Sequence, residues 1–248
     1  MDLKDSISIV AQSENGLFSD TGIQYFANDV VGINPHLGLM MLSRSDNEGL
    51  QSKAYKSIEI MMDDMQLNLT AKITKSRFSG SLASRCLSES LDNINEYLCF
   101  QSPSTAPSDV NKGVDLSAIQ IEKNSFSSCS IGNLRCLHFS GNELKILATS
   151  SPAQKKLGID TSFKPNVVEL EFAEGDIVML LSAALIKDLG LDFIRVTLSR
   201  FKENLEMIIR QINTRALQNG LKQKPVMIIC YKDKAIVERR NWFNKLRN

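Results

Sequence analysis

Apolar residues along the chain change period several times, and each change predicts an element. Alternating and β-branched runs predict strands at about 6–11, 29–33 and 37–42, the last two separated by the turn pair Asn34-Pro35. Between 50 and 67, Ala54, Ile58, Met61 and Met65 recur at helical spacing, and between 81 and 100 Leu82, Cys86, Ile94 and Leu98 do the same. Both stripes read as core-facing helix surfaces; the methionines are ordinary core fillers in such a position. A stretch rich in Pro, Ser and Thr comes next (101–113) and reads as an exposed loop.

From 114 onward the period returns to two. Strands are predicted at 114–123, 125–131, 134–139 and 143–147, with Ser140-Gly141-Asn142 as a hairpin turn, and then at 166–172 and 177–181 around the Glu174-Gly175-Asp176 turn. A helix is expected over 202–219 with the stripe Leu205, Ile208, Ile209, Ile212 and Ala216, stopped by Gly220. The last strand, 226–231, is apolar throughout and is therefore expected to be central. Strand following strand at this spacing excludes a doubly wound parallel sheet. The expected fold is α+β: a four-layer α-β-β-α sandwich of two antiparallel sheets flanked by helices, with 1–248 as one domain and a basic tail from about 232.

Composition narrows the function classes. The 248 residues are 43% hydrophobic and 23% charged with a net charge of +1, which gives no basis for nucleic-acid binding. The N-terminus has no signal core and no run is long enough to span a membrane, so a cytoplasmic protein is expected. Five scattered cysteines lack a zinc or disulfide spacing. His36 and His138 have no Ser, Cys or Asp partner recognisable by spacing, and P-loop, GxGxxG and HExxH patterns are absent.

The strand 177–181 ends in Ser182-Ala183-Ala184-Leu185, with nothing chemical where a sheet of this kind presents its working residues. Taken with four other blocks, this stretch resembles the metal-dependent protein phosphatases of the PPM type (type 2C). The first block, Gly22 to Asp29, has Gln24 where the resemblance implies a phosphate-binding Arg and Asn28 where it implies the first acid; Asp29 keeps its carboxylate. After the strand ending at Leu42, Ser43-Arg44-Ser45-Asp46-Asn47-Glu48-Gly49 corresponds to the family's DGxGG turn, with Ser45 at the metal-bridging position and Asp46 one residue late. Gly132-Asn133-Leu134-Arg135 corresponds to GDSR, and 147–152 lacks the family's histidine. Ala184 stands where SDGL carries its metal-binding Asp, and Lys222 where the last acid of the DN pair would be.

The resemblance therefore implies the fold of a binuclear metal phosphatase with one core ligand position, Asp29, still acidic. The expectation is a pseudophosphatase with no catalytic residues and no cofactor, acting on a protein partner: a kinase, a phosphoprotein or an active phosphatase. Lys222 is expected either to pair with Asp29 as a stand-in cation or to be a plain surface lysine. Two alternatives remain open. One is a divergent phosphatase holding manganese or magnesium through Asp29, Asp46 and another acid, among Glu48, Asp160, Asp188 and Asp192. The other is a structural module of a larger assembly, with Trp242, Phe243 and Leu246 in the basic tail as a contact surface.

Overall fold

The computed structural model describes residues 6–13, 16–45, 50–70, 80–101, 113–147 and 156–233. Two six-stranded sheets pack face to face. The first has the order β2(Gly16–Phe18), β1(Ile7–Ser13), β12(Met227–Lys232), β11(Ile177–Ser182), β8(Leu134–Ser140), β9(Glu143–Ile146). The second has β10(Val168–Glu171), β7(Ser125–Ile131), β6(Val114–Ile121), β5(Leu39–Ser45), β4(Asp29–Asn34), β3(Gly22–Phe26). Every paired neighbour runs antiparallel, and both sheets draw strands from both halves of the sequence.

Alternation along the strands divides the apolar residues between two faces. Ile9, Val178 and Leu180 from the first sheet meet Val31, Leu42 and Ile119 from the second in the gap between them. The other face of the second sheet, with Val30, Met41 and Leu116, lies under α1(Gln51–Thr70) and α2(Leu82–Phe100), whose stripes are the expected ones. Gly32 permits that contact: a Cβ there would lie 2.5 Å from Ile58 Cγ2 and 2.7 Å from Met41 Cε. Ser81 caps α2, its hydroxyl accepting from the Ser84 amide at 3.1 Å.

The outer face of the first sheet is covered by α3(Ala183–Leu189), α4(Leu191–Phe201) and α5(Leu205–Gln218). The stripe expected for α5 is buried, and β12, all six residues of which are buried, sits between β1 and β11 as its apolar run predicts. α3 and α4 were not expected. Ser182 ends β11 and caps α3, accepting from the Leu185 amide at 3.2 Å, so the apolar run continues straight from strand into helix. Gly190, at φ 81°, then separates α3 from α4 and resets the helical period. Neither helix is long enough alone to announce its stripe. No helix among the described residues is long and apolar enough to cross a membrane.

Candidate functional site

The β3–β4 hairpin turns in two residues, since Phe26 lies opposite Asp29. Its first turn residue, Ala27, takes φ 52°, a left-handed conformation a non-glycine residue adopts only when its surroundings impose it. The Gln51 side-chain amide donates to the Ala27 carbonyl, one such imposition. This turn places Asp29 at the mouth of the gap between the sheets.

Directly opposite Asp29, on β5, is Arg44. Both side chains fall on the inner face, because Val31 and Leu42, two residues away on each strand, belong to the inter-sheet core. The guanidinium binds the carboxylate side-on through one edge: Nε donates to Oδ1 at 2.6 Å and Nη2 to Oδ2 at 2.8 Å. The Asp29 side chain is 8% exposed and that of Arg44 31%. Such a bidentate, mostly dry pair is strong and geometrically exacting.

The row continues across the sheet. Asp115 on β6 lies opposite Arg44 and is fully buried, with the Lys156 ammonium 3.7 Å from its Oδ1. Beside it Gly132, at φ 69°, leaves the carboxylate its space: a Cβ there would fall 1.8 Å from Asp115 Oδ1. Asp29, Arg44, Asp115 and Lys156 thus alternate in sign along one edge of the inner face.

The other wall comes from the end of β11 and the segment before β12. Ala183 donates its amide to the Asn133 carbonyl at 2.7 Å, which ties the start of α3 to the β7–β8 turn. Ala184 is exposed, and Lys222 and Lys224 are exposed on the facing segment. With Asp29, Arg44 and Asp188 these residues line a solvent-open cavity of about 310 Å³.

Of the positions singled out by sequence, Asp29, Ala184 and Lys222 meet at this cavity. Gln24 is exposed on the edge strand β3 and does not line it. Asn28 lies in the turn, its carbonyl accepting from the Ser45 amide at 3.0 Å. Ser45 is buried, and strand alternation turns its side chain to the opposite face, toward α1 and α2. Asn133 is exposed and joins the site through its carbonyl alone. Asp46, Glu48 and the 148–152 stretch lie outside the described residues.

Of the two expectations for Lys222, the exposed surface lysine is the one found, and the cation on Asp29 is Arg44. The physical reason is register, since antiparallel pairing sets Arg44 across from Asp29 at hydrogen-bonding distance whereas Lys222 lies on the exposed segment between α5 and β12. Counting outward from the Asn34-Pro35 turn would have found the pair. Arg135 does not join the cavity; its Nη1 donates to the carbonyls of Gly132 at 2.7 Å and Leu134 at 2.6 Å, and burial pushes its pKa down.

A pair of divalent cations does not fit these residues. Magnesium or manganese takes several carboxylate oxygens in near-octahedral array, yet both Asp29 oxygens are engaged by a guanidinium and two lysines share the cavity. Among the described residues no group of three or more His, Cys, Asp or Glu side chains is placed to hold a metal.

His138 does have an acidic partner that spacing did not reveal: its Nε2 lies 3.1 Å from Asp176 Oδ2. The same oxygen accepts from the Ala173 amide at 3.0 Å, the turn-stabilising role expected of Asp176. His36 is exposed at a hairpin tip.

No protein-family model matches the chain, and no curated protein matches it. Solved structures do. PppA from Pseudomonas aeruginosa, described as a key regulatory component of T6SS, aligns with a TM-score of 0.67 at 14% identity, over 91% of this chain and 96% of that one. The serine/threonine phosphatase PstP/Ppp of Mycobacterium tuberculosis aligns at 0.63 with 15% identity, over 92% and 100%. The catalytic domain of PstP in complex with 2 manganese ions aligns at 0.64 with 17% identity, over 92% and 99%. At such identities the likeness shows the fold, and the fold is that of the PPM-type serine/threonine phosphatases.

Proposed function

We propose that this PPM-fold protein is a pseudophosphatase: it does not hydrolyse phosphoesters and acts by binding a protein partner. The observation that carries this reading is the bidentate Asp29–Arg44 pair. Metal-dependent hydrolysis needs cations that generate a hydroxide and neutralise the phosphoryl group. Here the one acid retained among the corresponding positions is held by an arginine of the neighbouring strand, and Ala184 and Lys222 supply no oxygen. The intact core stripes around this cavity support retention of the fold for another use.

The partner is a kinase, a phosphoprotein or an active phosphatase; the regulatory description of PppA, a protein of like fold, supports a regulatory role. We place the protein in the cytoplasm. Titration of the purified protein with manganese and magnesium by calorimetry, alongside assays on an aryl phosphate and a phosphopeptide, tests the proposal. The expected result is no saturable metal binding and no turnover. Two-site binding accompanied by hydrolysis would overturn it.

A further inference from the structure

We infer that the outer edge of β3 is a self-association surface, through which two copies of this chain pair antiparallel and join their second sheets into one. The inference is independent of the pseudophosphatase reading and starts from the edge strands. An open edge offers backbone N–H and C=O groups to any other chain, and natural sheets blunt such edges with charge or brevity. β9 carries Glu143 and Lys145, β10 carries Glu169 and Glu171, and β2 is three residues long. β3, Gly22-Ile23-Gln24-Tyr25-Phe26, has neither device: it runs for five residues with no charge and no proline. Its Tyr25 is 47% exposed, and among the described residues no strand pairs with its outer side.

The hairpin fixes which groups face outward. A two-residue turn is closed by a hydrogen-bonded pair, here Phe26 with Asp29, and pairs of the two kinds alternate from there. Gly22, Gln24 and Phe26 therefore direct their backbone groups to β4, while Ile23 and Tyr25 direct theirs away from it. Among the described residues no backbone group bonds Ile23 or Tyr25 on that outer side.

These outward groups are self-complementary. A two-fold axis at Gln24 sets Ile23 opposite Tyr25 of the second copy, and Tyr25 opposite its Ile23, so that each outward N–H meets a C=O. Both residues face the helices, Ile23 against the core beneath α1 and α2 and Tyr25 on the Tyr55 ring. Each facing pair thus joins a β-branched to an aromatic side chain, a favourable cross-strand combination. On the inner side Gln24 meets Gln24 at a non-hydrogen-bonded position, where side chains lie closest and two carboxamides can bond each other. α1 leaves the seam open, since it lies mainly over β4 and β5. The lack of charge favours a second copy over an unrelated strand: nothing on β3 repels its own image, and nothing on it selects a charged partner.

Sedimentation velocity on the full chain, from low to high micromolar concentration, should show a monomer–dimer equilibrium that stops at two, because a two-fold contact closes on itself. So short a seam makes a small interface, and the affinity expected is micromolar. Gln24→Lys and Gln24→Glu, at an exposed position, each set like charges face to face on the axis and should weaken dimerisation about tenfold or more. An equimolar mixture of the two variants should recover it as a heterodimer. Hydrogen exchange gives a second readout: the Ile23 and Tyr25 amides should slow as protein concentration rises, while the Gln24 amide, bonded to β4, stays unchanged. A monomer at every concentration, a dimer indifferent to both substitutions, or a mixture no tighter than the single variants would each overturn the inference. So would slow exchange of Ile23 and Tyr25 that is independent of concentration, because another segment of the chain would then already cover the edge.

Discussion

Two cavities of similar size sit at opposite ends of β11, and their charges are disposed in opposite ways. At the end of the strand the cavity beside Arg44 is lined by three cations and two acids, with Asp29 held in a bidentate pair. At its start a cavity of about 250 Å³ is lined by Glu143, Glu171 and Asp176 with Lys145 and His138. There two pairs form, His138 with Asp176 at 3.1 Å and Lys145 with Glu143 at 3.1 Å, and Glu171 stands outside both. Phe126 meets His138 edge-on, and nearby Lys232 extends its ammonium to the Lys123 carbonyl and over the Phe172 ring, with burial lowering its pKa. The contrast is one of sign: the start of the strand carries an excess of acids and its end an excess of cations.

The sharpest way to break this contrast is Arg44→Ala. Removing one partner of a largely buried pair leaves Asp29 charged and unsatisfied, and the cost should be about 2–3 kcal/mol in urea unfolding, somewhat below that of a fully dry pair because Arg44 is partly exposed. A loss under about 0.5 kcal/mol would make the pair incidental. At the other end Asp176→Ala should cost less, about 1–2 kcal/mol, since the Ala173 amide and a His138 ring nitrogen lose an acceptor while water can reach the cavity.

A pH series probes the buried thiols, Cys129 under the helices of the second sheet and Cys136 and Cys230 between the sheets. Burial pushes the Cys129 thiol up to about 12 and raises Cys136 and Cys230 as well. A thiol whose pKa is higher folded than unfolded contributes fully below the ordinary value of 9.0. Its contribution is lost as pH rises from there toward 12, because unfolding then releases the proton. Stability should therefore decline above pH 9, and the decline should shrink in Cys129→Ala; an unchanged slope would count against the buried-thiol assignment. The smallest effect belongs to Lys222→Ala with Lys224→Ala, whose exposed side chains should change stability by less than about 0.5 kcal/mol. A larger loss would mean that these lysines serve the fold.

Much of the architecture was legible because it is written in periodicity. The stripe Ala54, Ile58, Met61, Met65 and the solid apolar run of β12 each name their burial, and the structure places them accordingly. α3 and α4 were not legible, because Ser182 converts a buried strand into a helix without any polar interruption and Gly190 divides the helical stretch into pieces of 7 and 11 residues. The candidate site was half legible. Asp29, Ala184 and Lys222 are found together, since motif order carries them, but pairing across strands is a property of register. That is why Asp29 meets Arg44, why Ser45 faces the helices, and why His138 meets Asp176 from a strand to which its own spacing does not point.

A bound metal stabilises its site by an amount that grows with the logarithm of its free concentration. The guanidinium on Asp29 is part of the chain and has no such concentration. On the reading proposed above, the corner of the sandwich that it closes should be as firm when divalent cations are scarce as when they are plentiful, and chelation should leave its unfolding midpoint where it was.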